Sequence, residues 1–271
     1  MTSPVDPNRF GGITRLYGRS ALERLARAHV AIIGVGGVGS WAVEALARSG
    51  VGRLTLIDMD DVSITNSNRQ LHALEGEIGR PKVDVLAERV RSINPGCGVT
   101  PVKECFSETS AERLLEFMGL DPGHGCDWVI DAVDRTGIKA LIITKARERS
   151  LPVLTIGGAG GRRDPAAIRT GDLARSGGDR LLKQVRKLLR QQYEWPAGNG
   201  EDFGVPAVFS AEPQIYPRSD GTVSAKPEPA SHLRKDGASG YGTACFVTGA
   251  FGFVAAAEVV RRITQEKPQA F

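Results

Sequence analysis

The chain has 271 residues, 41% hydrophobic and 24% charged, which is ordinary for a globular protein with a sizeable core and sets aside a disordered or fibrous chain. At this length, one large α/β domain or two small ones are allowed. A net charge of +4 and a pI near 9.0 are compatible with a polyanionic partner without requiring one.

In chain order, residues 1–8 hold two prolines and little pattern, as in a loose terminus. Residues 9–17 place Arg15 in a glycine-bounded segment, and residues 20–28 show helical periodicity through Leu22, Leu25 and Ala26. The next stretch carries the strongest signal. Residues 30–33 form a β-branched, apolar strand, followed at once by Gly34, Gly36, Gly37 and Gly39. Residues 41–48 are apolar at helical spacing, Gly50 ends them, and residues 53–57 form a second strand with Asp58 at its tip. Such a unit aims main-chain N–H groups and a helix N-terminus at a phosphate chain. Asp58, nineteen residues past Gly39, is placed for ribose hydroxyls. The G-x-G-x-x-G spacing says nucleotide without saying which one.

Asp60 and Asp61 continue the acidic tip, and Asn66, Arg69 and Gln70 lie within one and a half helical turns. If helical, Asn66 and Arg69 share a face; otherwise this is a polar surface turn capped at Thr65 or Asn66. Pro81 opens a helix running to about residue 93, with Lys82 in its first turn. A cation is poorly placed there on dipole grounds unless an anion faces it. A strand at 99–103, a helix at 110–118 and a buried parallel strand at 127–133 follow, the last ended by Asp134. A helix at 138–149, a strand at 152–156 and a glycine run at 157–161 complete this half. Asp58 and Asp134 thus stand at C-terminal strand tips, which face the ligand crevice of a doubly wound sheet. Two carboxylates facing a triphosphate call for a divalent metal, usually Mg2+.

Beyond residue 168 the pattern changes. In residues 179–192, Leu181, Leu182, Val185, Leu188 and Leu189 share one face, and Arg180, Lys183, Arg186, Lys187 and Arg190 occupy the rest. This basic amphipathic helix reads either as a solvated face packed on the core or as a contact with nucleic-acid phosphates. Residues 193–204 read as a mobile loop. Segments 205–210, 214–216 and 222–225 read as short antiparallel additions to the sheet, and 230–242 as a glycine-rich loop. The closing helix spans 243–263, with Cys245 at its start, where a helix N-terminus can lower a thiol pKa and a small packing residue is the plainer reading. Its apolar stretch, 244–257, falls short of the ~20 residues a spanning helix needs, so a buried helix is expected rather than membrane contact. The cysteines Cys97, Cys105, Cys126 and Cys245 form no C-x-x-C pair, which argues against zinc and reads as reduced thiols of a cytoplasmic protein. Alternating strands and helices predict an α/β, Rossmann-like, doubly wound, mainly parallel sheet with an antiparallel C-terminal extension. One domain over 1–271 is expected, with a nucleotide-binding core at 9–165 and the extension at 166–271.

The ordered set Arg15, G-x-G-G-x-G at 34–39, Asp58, Asn66-x-x-Arg69-Gln70, Lys82 and Asp134 resembles the ThiF/MoeB/HesA superfamily of ATP-dependent adenylating enzymes, relatives of ubiquitin-activating enzymes. RFGGITRLYG, IGGAGGRRDP, LLKQVRKLLR, VPAVFSAEP and GYGTACFVTGAFG are similar to one branch of it, which dehydrates and cyclises a threonylcarbamoyl group on an adenosine of the tRNA anticodon loop. The resemblance implies that Asp58 holds the ribose of ATP, that Asn66, Arg69 and Lys82 hold phosphates, and that Asp134 holds Mg2+. Gly34, Gly36, Gly37, Gly39, Asp60 and Gln70 complete the implied ATP-binding set. Arg15 is implied to reach the triphosphate from the other subunit of a homodimer, so that Arg15, Arg69, Lys82 and Asp134 carry the catalysis. A tRNA partner is implied; a monovalent cation, and a sulfur-acceptor or desulfurase partner served by Cys245, are left open. One departure is Arg135 after Asp134, where sulfur-carrier adenylyltransferases usually have asparagine. The alternatives are such an adenylyltransferase, an NAD-dependent oxidoreductase, and a nucleotide-sensing scaffold. Arg69 and Lys82 have no evident task in the oxidoreductase.

Overall fold

The structure, a computed structural model, describes residues 7–119, 125–196, 201–228 and 241–265. Helices α1 (Pro7–Tyr17) and α2 (Arg19–Arg27) lead into β1 (His29–Ile33), α3 (Gly39–Arg48) and β2 (Arg53–Ile57). Then come α4 (Lys82–Ile93), β3 (Gly98–Val102), α5 (Ala111–Gly119), β4 (Trp128–Asp131), α6 (Thr136–Glu148) and β5 (Val153–Ile156). The last part holds β6 (Ile168–Asp172), α7 (Arg180–Gln192), β7 (Pro206–Ser210), β8 (Tyr216–Pro217), β9 (Val223–Ser224) and α8 (Cys245–Thr264).

Seven strands form one sheet in the order β3-β2-β1-β4-β5-β7-β6. Every pairing is parallel except that of β6 with β7. Strand order reverses between β1 and β4, so the crevice of this doubly wound sheet opens at their C-terminal tips. Alternate β1 residues feed opposite layers. Val30 and Ile32 pack with α3, α4 and α8, while Ala31 and Ile33 pack with α5, α6 and α7. Both faces are covered, which is why β1 is apolar throughout.

The apolar stretch at 244–257 lies within α8, and its glycines have a packing reason. A Cβ at Gly252 would come within 2.5 Å of the Val38 carbonyl oxygen, so α8 crosses α3 at close range. No described helix is long and apolar enough to cross a membrane.

The strand pairing of the C-terminal half departs from expectation. Strand β7 is not an antiparallel addition: it pairs in parallel with β5, because α7 supplies the crossover that returns the chain in the same direction. The antiparallel member is the edge strand β6, whose polar sequence IRTGD gives no strand signal. Among the described residues, β8 and β9 pair with each other and not with the main sheet. The expected loop at 193–204 is anchored at both described ends, where Trp195 and Phe203 are buried edge to face at 5.1 Å. Residues 197–200, most of the expected loop at 230–242, and residues 1–6 of the expected loose terminus lie outside the described residues. Pro7 already begins a helix, with non-helical backbone at Phe10.

Candidate functional site: a glycine turn walled by cations and carboxylates

Two of the four turn glycines are sterically fixed. Gly34 has φ +86°, and a Cβ there would meet the Ala132 carbonyl and the Val133 nitrogen at 3.0 Å. A Cβ at Gly39 would stand 1.9 Å from the Gly34 carbonyl oxygen. The turn therefore folds on itself and against the backbone beyond β4. Gly36 and Gly37 instead face the Gln70 amide and the Arg69 aliphatic stem, each 3.5 Å from a notional Cβ.

The segment bearing Asn66, Arg69 and Gln70 is a short 3-10 turn (Ile64–Asn66) and the loop after it rather than an α-helix. Its cap is Ser63, whose hydroxyl accepts from the Thr65 N–H while the Asn66 side chain accepts from the Ser63 N–H. The expected caps, Thr65 and Asn66, both lie inside the turn. The Arg69 carbonyl accepts from the Trp41 indole at 3.0 Å and the Thr248 hydroxyl at 3.2 Å, tying this loop to α3 and α8. The Arg69 guanidinium donates to the Thr65 carbonyl and the Asn68 side chain. Asn68 donates in turn to the carbonyl and hydroxyl oxygens of Thr243, just before α8.

Asp58 accepts the Val35 N–H at 2.8 Å on one carboxylate oxygen and the Asp60 N–H at 2.9 Å on the other. Burial raises its pKa, partly offset by these N–H groups and Lys82. Lys82 is 5% exposed, and its ammonium donates to the Asp60 carboxylate at 2.8 Å. The anion that offsets a lysine at the head of α4 is thus an acidic side chain of the same chain. Asp60 stays largely exposed, so the pair sits at the rim of the crevice.

Strand β4 ends at Asp131, so Asp134 is exposed three residues past the tip rather than closing the strand. Asp131 is fully buried. It accepts from the Lys139 ammonium at 2.9 Å and the Thr155 hydroxyl at 2.7 Å, and its second oxygen faces the Val133 N–H at 3.3 Å. This network fixes the turn that carries Asp134 and abuts Gly34. Its sequence signal is a lysine inside the apolar run of α6. Among the described residues, no group of three or more His, Cys, Asp or Glu side chains makes a protein-only metal site. An exposed carboxylate just beyond a strand tip fits Mg2+, which takes one or two carboxylates and completes its shell with phosphates and water.

Arg15 is not part of this cluster. It is exposed at the end of α1, whose Phe10 packs against Gly50 at the far end of α3 from the glycine turn. Cys245 is exposed at the start of α8.

The basic helix is α7, with Leu182, Val185 and Leu189 buried. Its cations are not equivalent. Arg186 donates to the Ser176 carbonyl at 2.7 Å, and Arg190 donates to the Pro196 carbonyl at 3.1 Å with its guanidinium over the Phe203 ring. Arg180 bonds the Tyr216 hydroxyl. Lys183 and Lys187 are exposed. Of the five cations, Lys183, Lys187 and Arg180 are thus the exposed ones, while Arg186 and Arg190 are partly buried against the protein's own carbonyls.

A model of the ThiF family matches residues 12–271. The chain is 45% identical over 256 residues to tRNA threonylcarbamoyladenosine dehydratase of Escherichia coli (strain K12), covering 94% of this chain and 93% of that one. A crystal structure of the E. coli tRNA N6-threonylcarbamoyladenosine dehydratase, TcdA, in complex with ATP superposes with a TM-score of 0.80 and 39% identity, covering 95% of this chain and 94% of that one. Likeness to the molybdopterin-synthase adenylyltransferase of E. coli is narrower: 34% identity over 127 residues, 47% of this chain and 48% of the relative.

Proposed function

The chain belongs to the ThiF family, and we propose that it is an ATP-dependent enzyme that dehydrates and cyclises threonylcarbamoyladenosine in the tRNA anticodon loop. The observation that carries this reading is the glycine turn walled by Asp58, Arg69, Gln70 and the Lys82–Asp60 pair. It sits in a chain that covers nearly the whole length of a relative named for that reaction. We read residues 1–271 as one adenylating unit acting as a cytoplasmic homodimer.

A carboxylate cannot be displaced directly because oxide would have to leave. Attack of a carboxylate oxygen on the α-phosphorus of ATP expels pyrophosphate and leaves an acyl group bonded to AMP. The neighbouring carbamoyl group then attacks the acyl carbon and loses a proton, and AMP departs with the oxygen. The substrate thus supplies its own nucleophiles, and the protein contributes positioning and charge stabilisation. In this assignment the N–H groups of the glycine turn line the phosphates and Asp58 takes the ribose hydroxyls. Lys82 and Arg69 lie against the phosphates, with Asn66 and Gln70 ordering the wall. Asp134 would hold Mg2+, which neutralises phosphate charge. Arg15 would come from the second subunit. Lys183 and Lys187 offer contacts to tRNA phosphates.

The test is nucleoside mass spectrometry of tRNA bearing threonylcarbamoyladenosine, incubated with the protein, ATP and Mg2+. A product lighter by one water is expected, and it should vanish in Asp134→Asn with the fold intact. Unaltered nucleoside, together with ATP–pyrophosphate exchange driven by a carrier protein's C-terminal glycine, would transfer the chain to the sulfur-carrier adenylyltransferases.

A further inference from the structure

An aromatic and cationic cluster lies beside the nucleotide crevice, and none of its members has a part in the chemistry above. Tyr216 and Tyr241 face each other with ring centroids 5.5 Å apart and planes inclined at 53°. Arg180 bonds the Tyr216 hydroxyl, and its guanidinium lies 5.9 Å from that ring. Tyr241 is 39% exposed and rests on bare backbone: a Cβ at Gly160 or Gly161 would meet it at 3.0 Å. The N–H of Gly161 donates to the Gly242 carbonyl, which locks this contact.

The position is close to the ATP wall. Tyr241 is two residues from Thr243, which Asn68 holds next to Arg69. Two residues span at most ~7 Å. A buried, incompletely hydrogen-bonded arginine adjoins the pair. Arg162, directly after the glycine run, is 2% exposed, with Tyr216 and Tyr241 among the groups around it. Its Nη1 donates to the Ser210 carbonyl and its Nη2 lies 3.5 Å from the buried Asp179 carboxylate, while among the described residues neither its Nε nor the side-chain oxygen of the nearby Gln214 has a hydrogen-bond partner. Buried donors and acceptors are rarely left unpaired without a water or a ligand to satisfy them.

We infer that Tyr216 and Tyr241, flanked by Arg180, form the stacking platform for the nucleobase being modified. Sequence-specific RNA proteins splay single-stranded bases onto aromatic rings and guanidinium planes, and each stacked base contributes substantially to affinity. Lys183, one helical turn beyond Arg180, is placed for a neighbouring phosphate. The inference rests on the tRNA reading above and assigns where the substrate base sits.

The experiment uses the full-length protein and Tyr216→Leu, Tyr241→Leu and the two Tyr→Phe variants. The leucines keep volume and remove the ring face; the phenylalanines keep the ring. The KM for modified tRNA is expected to rise about tenfold or more in each leucine variant, and to stay within about threefold in the phenylalanine variants. ATP affinity by calorimetry should be unchanged in all four. Anticodon stem-loop RNA carrying 2-aminopurine at the target base gives an independent readout. Its emission should be quenched by the wild type and left bright by the double leucine variant. Wild-type KM in the leucine variants, or equal quenching by both proteins, overturns the platform. Failure of the wild type to convert tRNA at all would instead overturn the tRNA reading.

Discussion

His72 shows how one buried residue near Lys82 can make stability depend on pH. It is 1% exposed, neither ring nitrogen has a hydrogen-bond partner among the described residues, and burial together with the nearby Lys82 charge pushes its pKa down from 6.5 to about 4. It is therefore neutral in the fold at pH values where the unfolded chain protonates it. Stability is retained above about 6.5 and is lost as pH falls towards 4, by about 3 kcal/mol in total. Urea titrations at pH 7, 6, 5 and 4 should show that loss in the wild type and a flatter profile in His72→Leu. Parallel profiles would assign the acid sensitivity to other groups. Other site residues were legible because their types recur at informative spacings: glycines at a strand end, an acid at the next strand tip, Asn66, Arg69 and Gln70 in one turn. His72, Asp131 and Arg162 were not legible, because whether a polar side chain is buried depends on what packs over it.

Elements that alternate strictly between apolar strand and periodic helix were readable to within a few residues. Those that failed did so for reasons of context. Strand β6 is an edge strand, so its faces need not be apolar. Helix α1 contains Gly11 and Gly12, which weaken any propensity signal. The direction of β7 depends on the crossover that α7 makes, which neither charge nor periodicity reveals. The Asp131–Lys139 pair joins three elements, β4, β5 and α6, because Lys139 also approaches the Thr155 hydroxyl at 3.3 Å. With both partners present, every ammonium proton has an acceptor. Lys139→Met leaves a buried carboxylate without its counter-charge and is expected to cost about 3–5 kcal/mol in chemical denaturation. Lys139→Met combined with Asp131→Asn should recover part of that loss, because the unpaired charge is gone. Equal losses in the single and double variants would show that packing, not charge, sets the cost.

At the scale of the whole molecule, the proposed role of Arg15 needs a second subunit. Helix α3 rises about 15 Å from the glycine turn to its other end, and α1 packs at that other end through Phe10. Arg15 is followed by Leu16, which is 71% exposed, and by the exposed Tyr17, so the cation sits at the border of an uncovered apolar patch. A two-fold partner seated there would place each Arg15 towards the other subunit's crevice, and the site would be complete only in the dimer. Mixed dimers test this directly. Arg15→Ala and Asp134→Asn homodimers should each be inactive. In a heterodimer acting across the interface, one site receives an intact Asp134 from its own chain and an intact Arg15 from the partner, while the other site carries both defects. Random mixing should then restore about a quarter of wild-type turnover per subunit, since half of the dimers are mixed and half of their sites are whole. If Arg15 served its own crevice, every site in the mixed dimer would lack one group, and confirmed heterodimers would remain as inactive as their parents.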